Sequence, residues 1–141
     1  MEKDQKTMIT IQATVKAPLS KVWQFWTSPE HITQWNFADV SWHSPHAEND
    51  LQVGGKFSYR MEARDGSAGF DFWGIYTAIK EHERIESELG DGRKLSVSFS
   101  GSASETKIVE SFEAESENSI ELQKNGWQAI LNNFKKHTEE N

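Results

Sequence analysis

The sequence has no cysteine, and that absence excludes disulfides, thiolate nucleophiles and thiolate metal sites together. It is compatible with a reducing compartment. No stretch approaches the roughly 18 consecutive apolar residues of a membrane-crossing helix. The opening residues, Met1-Glu2-Lys3-Asp4-Gln5-Lys6, are polar and unlike a secretory leader. The expected location is the cytoplasm, with no stable membrane insertion. Basic charge is also scarce: the net charge is −7, with acidic residues spread along the chain. Phosphate backbones would be repelled, so nucleic acid is not an expected partner. The one basic cluster, Lys135, Lys136 and His137, falls at the end of an expected helix, where cations suit the macrodipole. A Gly-x-Ser-x-Gly elbow is missing as well, so the many serines carry no hydrolase signal.

What the chain has instead is aromatic bulk: six Trp, eight Phe and two Tyr in 141 residues. A length of this order holds one domain, here residues 1–141, with room for one core. Indole rings are large enough to be mostly buried, yet each carries an N–H that needs a partner or a wet edge. That suits the wall of a pocket as well as a core.

Alternation of Ile9, Ile11, Ala13, Val15 and Ala17 with polar residues predicts a half-buried strand, ended by Pro18. Leu19, Val22, Trp23 and Trp26 then follow helical spacing, and Ser28-Pro29 opens a second short helix through Ile32 and Trp35. Residues 38–44 are followed by an expected loop, Pro45 to Asp50, closing at Gly54-Gly55. Lys56 to Arg64 alternates again, and Asp65-Gly66 and Asp91-Gly92 are hairpin signals. Gly69 to Ile79 is apolar on both faces, Phe70, Phe72 and Tyr76 against Trp73 and Ile75, as in a strand covered on both sides. Residues 84–89, 94–100 and 105–114 supply further strands. The final segment reads as a long helix with Asn118 and Glu121 as a capping box and Ile120, Lys124, Trp127, Ile130, Leu131 and Phe134 on one face. Gly126 lies inside it at a cost of roughly 1 kcal/mol relative to alanine. Either a close approach at that face compensates, or the glycine is simply tolerated at the surface.

The order is thus α+β, with a sheet of about seven antiparallel strands, two short helices after the first strand and a long C-terminal helix covering the apolar face. The entry Val15-Lys16-Ala17-Pro18-Leu19-Ser20-Lys21-Val22-Trp23-Gln24-Phe25-Trp26 resembles that of the START-like, birch-pollen-allergen-like superfamily. Gly54-Gly55-Lys56-Phe57, Gly74-Ile75-Tyr76, Glu83-Arg84-Ile85 and Gly126-Trp127 are similar, in order and spacing, to its branch of heat-shock-protein-90 ATPase activator homologues. The likeness spans nearly the whole chain. It implies a helix-grip fold, with the sheet wrapped around the last helix. It also implies a cavity of the kind that holds lipids, sterols, polyketides or flavonoid-like compounds, which some lineages have turned into cyclases or hydrolases. By the same likeness Trp127 faces the cavity. Contact with a chaperone is implied by the branch's name alone. One departure is the turn Ile79-Lys80-Glu81-His82, where relatives often carry prolines; it is expected to alter only a solvated turn.

The candidate pocket-facing residues are Trp23, Trp35, Phe57, Tyr59, Met61, Trp73, Tyr76, Phe99, Phe112, Trp127, Leu131 and Phe134. Each also reads more simply as core packing. Glu110 alternates in phase with Thr106, Ile108 and Phe112, which turns it inward; a shift of one residue would leave it solvated. Inside, it could orient a ligand hydroxyl or act as a general base. Arg60, Glu62 and Asp71 are expected on the solvent face. His43, His46, Glu48 and Asp50 do not make a convincing metal site, because Pro45 interrupts them and zinc needs three or four converging ligands. His31 is expected to be exposed on its short helix. The expected function is binding of a small apolar, lipid-like, polyketide or aromatic molecule by a monomer or weak dimer, without metal or cofactor and with no catalytic residues assigned. The alternatives are a cyclase- or hydrolase-type enzyme using the same cavity, and a chaperone-associated interaction protein.

Overall fold

The structure, a computed structural model, describes residues 7–141. Strand β1 (Met8–Val15) leads into helices α1 (Leu19–Thr27) and α2 (Pro29–Trp35). Six strands follow, β2 (Trp42–Asn49), β3 (Lys56–Ala63), β4 (Gly69–Lys80), β5 (Arg84–Leu89), β6 (Lys94–Gly101) and β7 (Thr106–Glu113), and then α3 (Ile120–Glu140). The strands form one antiparallel sheet in the order β1-β7-β6-β5-β4-β3-β2. This is the α+β helix-grip arrangement expected from the sequence. Gly66 and Gly92 occupy the β3–β4 and β5–β6 turns with φ of +79° and +91°, a conformation glycine adopts without Cβ strain.

The curled sheet leaves β1 and β2 as its edges, and the helices seal both. On β1 the outward backbone groups recur every second residue, and α3 meets them in turn. Gln128 donates to the Gln12 carbonyl at 3.2 Å, Lys135 to Thr14 O at 2.7 Å, and Glu139 accepts from Lys16 N at 2.8 Å. One side of α3 thereby caps an open edge that would otherwise invite another strand, while its apolar side faces the sheet. At the β2 edge, Asn49 donates to the Thr27 carbonyl at 2.7 Å.

Five local expectations are corrected. The stretch Pro45 to Asn49 is strand, not loop; its register shifts between His43 and His46, so the proline sits at a bulge on an edge strand where no ladder donor is needed. The β4 face bearing Trp73 and Ile75 is not covered: among the described residues no second layer lies against it, and Trp73 stays 38% exposed. The cap of α3 is Ser119, whose hydroxyl accepts from Leu122 N at 3.0 Å; Asn118 is instead tied to Glu115. With that start, the buried stripe of α3 runs through Gln123, Leu131, Phe134 and Thr138, while Ile120 and Lys124 are exposed. The hydroxyl of Ser28 makes no cap to α2, although Pro29 does occupy the first turn.

Candidate functional site

A cavity of about 350 Å3 lies between the concave face of the sheet and the N-terminal half of α3. Its roof is Gly126, Trp127, Ile130 and Leu131, and its floor comes from the inward residues of β3 to β7. The wall toward α1 and α2 is closed by Trp26 and Trp35. Phe70 and Leu122 mark the rim, being 49% and 59% exposed while still lining the space. Trp127 does not plug the cavity: its indole is stacked on Phe112 at 3.8 Å and meets the edge of Phe72 at 5.7 Å. At Gly126 an added Cβ would meet no atom within 4 Å. The helix therefore presents bare backbone in the cavity's lining, with open space where a side chain would begin.

The lining is apolar apart from a few groups. Glu110 projects from β7 and is 7% exposed. Among the described residues nothing hydrogen-bonds or neutralises its carboxyl, and burial pushes its pKa up to about 8. Across the cavity the Tyr76 hydroxyl donates to Asn49 Oδ1, and burial pushes the phenol up to about 12. Tyr59 beside it is raised well above the usual phenol range, first by burial and then by Tyr76 and the Glu110 charge. Ser87 and Asn36 add a hydroxyl and an amide, the latter donating to Met61 Sδ at 3.1 Å. Gln123 pins the segment before α3, accepting from Glu115 N at 2.9 Å and donating to the carbonyls of Glu115 and Asn118 at 3.1 and 2.8 Å. The rim charges are already engaged. Arg93 bonds Asp91 at 2.7 Å and the Glu113 carbonyl at 3.1 Å, and Glu115 accepts from Asn118 N at 2.6 Å.

Of the residues singled out by sequence, Trp35, Phe57, Tyr59, Met61, Tyr76, Glu110, Trp127 and Leu131 line this cavity. Five do not. Phe134 is fully buried at the closed end, edge-on to Trp26 at 4.9 Å and Trp35 at 5.0 Å. Phe99 packs against Trp23 at 5.3 Å and Trp26 at 5.7 Å. Trp23 turns toward His82 at 5.7 Å, so the β4–β5 turn is not merely solvated; His82 itself adopts a left-handed φ of 67°. Phe112 is covered by Trp127 and stands behind the wall. Trp73 lies on the opposite, convex face, where its indole fills the space that a Cβ at Gly90 would occupy and Lys56 Nζ sits 4.7 Å from its ring centre.

Other lining residues went unselected. Phe70 and Phe72 share the phase of Tyr76 along β4, and Trp26 follows Trp23 by three residues, so alternation and helical spacing carry a usable signal for them. Ser87 alternates in phase with Ile85 and Leu89, and Gln123 precedes Trp127 by four residues, so the same periodicities point both inward although they are polar; Asn36, just past the end of its helix, has no such signal. Arg60 bridges Glu62 at 2.8 Å and Asp71 at 3.5 Å on the outer face, as expected. No three potential metal ligands converge among the described residues. His46 pairs with Glu48 at 3.2 Å, and His43 with Glu62 at 3.8 Å. His31 is not free in solvent: it stacks on Phe25 at 3.7 Å and meets His137 at 3.1 Å, at the closed end. No described helix is long and apolar enough to cross a membrane.

Residues 16–139 match the family described as activator of Hsp90 ATPase homolog 1-like protein. An AHSA1-like protein from Aeromonas hydrophila, known from its solution structure, is 39% identical over 95% of this chain and 93% of its own, with a TM-score of 0.89. Chr148 from Cytophaga hutchinsonii is 49% identical over 94% and 92%, with a TM-score of 0.81. NE0264 from Nitrosomonas europaea shares the fold at 16% identity, covering 98% and 97% with a TM-score of 0.80. No curated protein matches the chain. The match over nearly the whole domain, together with the two closely similar folds, shows that the chain belongs to the activator-of-Hsp90-ATPase-homolog-1-like family of the START-like superfamily.

Proposed function

We propose that this protein binds a small hydrophobic molecule, aromatic or lipid-like, in the space beneath Trp127. The observation that carries the reading is the aromatic-walled cavity of about 350 Å3, with a glycine in its roof and a rim of exposed Phe70 and Leu122. Pockets for small molecules have this size and this mixture of apolar walls with a few placed polar groups. Members of the superfamily that bind lipids or polyketides use the corresponding space. A chaperone-assisting role fits less well, since it calls for a filled interior beneath an exposed apolar patch.

Titration with the uncharged dye N-phenyl-1-naphthylamine, which brightens in apolar surroundings, tests the reading. Saturable brightening is expected, with quenching of tryptophan emission, and both should vanish in Gly126→Leu. Native mass spectrometry of freshly purified protein should show bound mass beyond the polypeptide. A dye signal indifferent to the protein would remove the proposal.

A second reading, a cyclase- or hydrolase-type reaction, draws on Glu110, since a buried carboxyl with a pKa of about 8 is suited to general acid–base transfer at neutral pH. It requires turnover of a bound molecule that Glu110→Gln abolishes while binding persists.

A further inference from the structure

The polar content of the cavity is unevenly signed. Glu110 is buried there without a partner among the described residues, beside the aliphatic Val97 and Ile11 on the neighbouring strands, in a cavity that Trp127, Phe72 and Tyr59 also line. The titratable groups sharing the space are Tyr59 on β3, Tyr76 on β4, Arg93 in the β5–β6 turn and Glu115 before α3; α1, α2, β5, β6 and α3 contribute none to the lining. Arg93, the one cation among them, is held at the rim by Asp91 and the Glu113 carbonyl. An unpaired buried carboxylate is costly, and the side chains nearby offer it no counter-charge.

We propose that the molecule held in this cavity is a hydrophobic amine, with its ammonium group against the Glu110 carboxylate and its apolar part among the aromatic rings of the lining. The inference rests on the ligand-binding reading above and names its ligand class. The negative faces of aromatic rings attract a desolvated cation, and the ammonium supplies both the missing charge and several hydrogen-bond donors. An anionic ligand such as a fatty-acid carboxylate would bring a charge into an apolar space whose one cation, Arg93, is already engaged at the rim, and would face the negative sides of the rings. A neutral alcohol would leave the carboxyl protonated and gain one ordinary hydrogen bond. The protein's net charge of −7 also enriches cations around the mouth.

Protons balance in this scheme. In the empty cavity the carboxyl is held protonated at neutral pH by burial, with a pKa of about 8. When the ammonium enters, Glu110 ionises and its proton leaves to solvent, so the buried pair is neutral before and after. Binding should therefore tighten as pH rises from 6 to 8.

Three ligands on one skeleton provide the test: 1-naphthylmethylamine, 1-naphthylmethanol and 1-naphthoic acid, measured by calorimetry at pH 7 in two buffers of different ionisation enthalpy. The amine is expected to bind at least about tenfold more tightly than the alcohol, with the acid weakest, and to release about one proton per molecule bound. In Glu110→Gln the preference for the amine and the proton release should disappear, while affinity for the alcohol stays within about threefold. Proton release is read on the unaltered protein, so the inference does not depend on the variant folding. Binding of N-phenyl-1-naphthylamine without preference for the amine, or amine binding without proton release, overturns the amine assignment alone. Silence of all three ligands and of the dye overturns the ligand-binding reading and the assignment with it.

Discussion

The two halves of the space beneath α3 are built from the same materials and end differently. Toward the C-terminal half, Phe134 is wedged against Trp26 and Trp35, which lie 5.1 Å apart, and Phe99 closes over Trp26. Edge-to-face contacts of this kind leave little void. Toward the N-terminal half the aromatics are as large, but the indole of the roof lies flat on the wall, Trp127 on Phe112, and Phe57 is drawn down over Gly74. Gly126 then withholds the side chain that would fill the remainder. Aromatic content alone does not decide between core and pocket. Ring orientation and one missing side chain do.

Breaking the closed half should have the largest effect. Phe134→Ala removes a fully buried ring and is expected to destabilise the fold by about 3–5 kcal/mol in urea unfolding. Dye binding at the open half should survive within about threefold under conditions where the variant is folded. If binding is lost while the fold persists, the two halves are not separable.

The next largest effect is at Glu110, and it depends on pH. Its folded pKa of about 8 lies above the ordinary 4.5, so the folded state holds the proton more tightly than the unfolded chain does. The associated stability is full below about pH 4.5, declines as pH rises, and is lost once pH passes about 8. Between pH 6 and 9 the loss should be about 2–3 kcal/mol. Glu110→Gln should flatten this slope, which parallel urea titrations at the two pH values would show. An equally steep loss in the variant would place the titration elsewhere.

Gly126 comes third on stability and first on function. Replacing it with leucine supplies helix propensity worth roughly 1 kcal/mol and puts apolar atoms into open space. The variant should melt a few degrees higher while binding no dye. A stabilised protein that still binds the dye would mean the ligand sits elsewhere.

How far these features can be read from the chain follows from what each depends on. Alternation and helical spacing place every strand and helix except β2, whose Pro45 and polar residues look like loop because an edge strand at a bulge has no need of apolar alternation. Glu110 is legible because its phase along β7 is shared by Thr106, Ile108 and Phe112, all buried. Ser87 is legible by the same rule, sharing its phase with Ile85 and Leu89, and Gln123 by its helical spacing from Trp127 and Ile130; Asn36 is not, because it follows the end of α2 and its direction is fixed by packing against Met61. Nor does sequence separate Phe99, Phe112 and Phe134 from Phe57 and Phe72: all five face the interior, and only the curl of the sheet decides which touch the void.

Trp73 and Trp127 sharpen the same contrast at the smallest scale. Both indoles have neighbours that suggest burial in the sequence, yet Trp73 lies on the convex face, packed over Gly90 with the Lys56 ammonium 4.7 Å from its ring centre. A partly exposed cation–π contact of this kind is worth about 0.5–1 kcal/mol. Trp73→Phe keeps an aromatic face under the lysine and should therefore cost less than about 1 kcal/mol and leave dye affinity within about twofold. Trp127→Phe acts on the roof of the cavity, freeing part of Phe112, and should change dye affinity while reducing the dye-dependent tryptophan quenching to the share that Trp26 and Trp35 supply from the wall. If dye-dependent quenching is instead lost with Trp73 and kept without Trp127, the bound molecule lies on the outer face of the sheet.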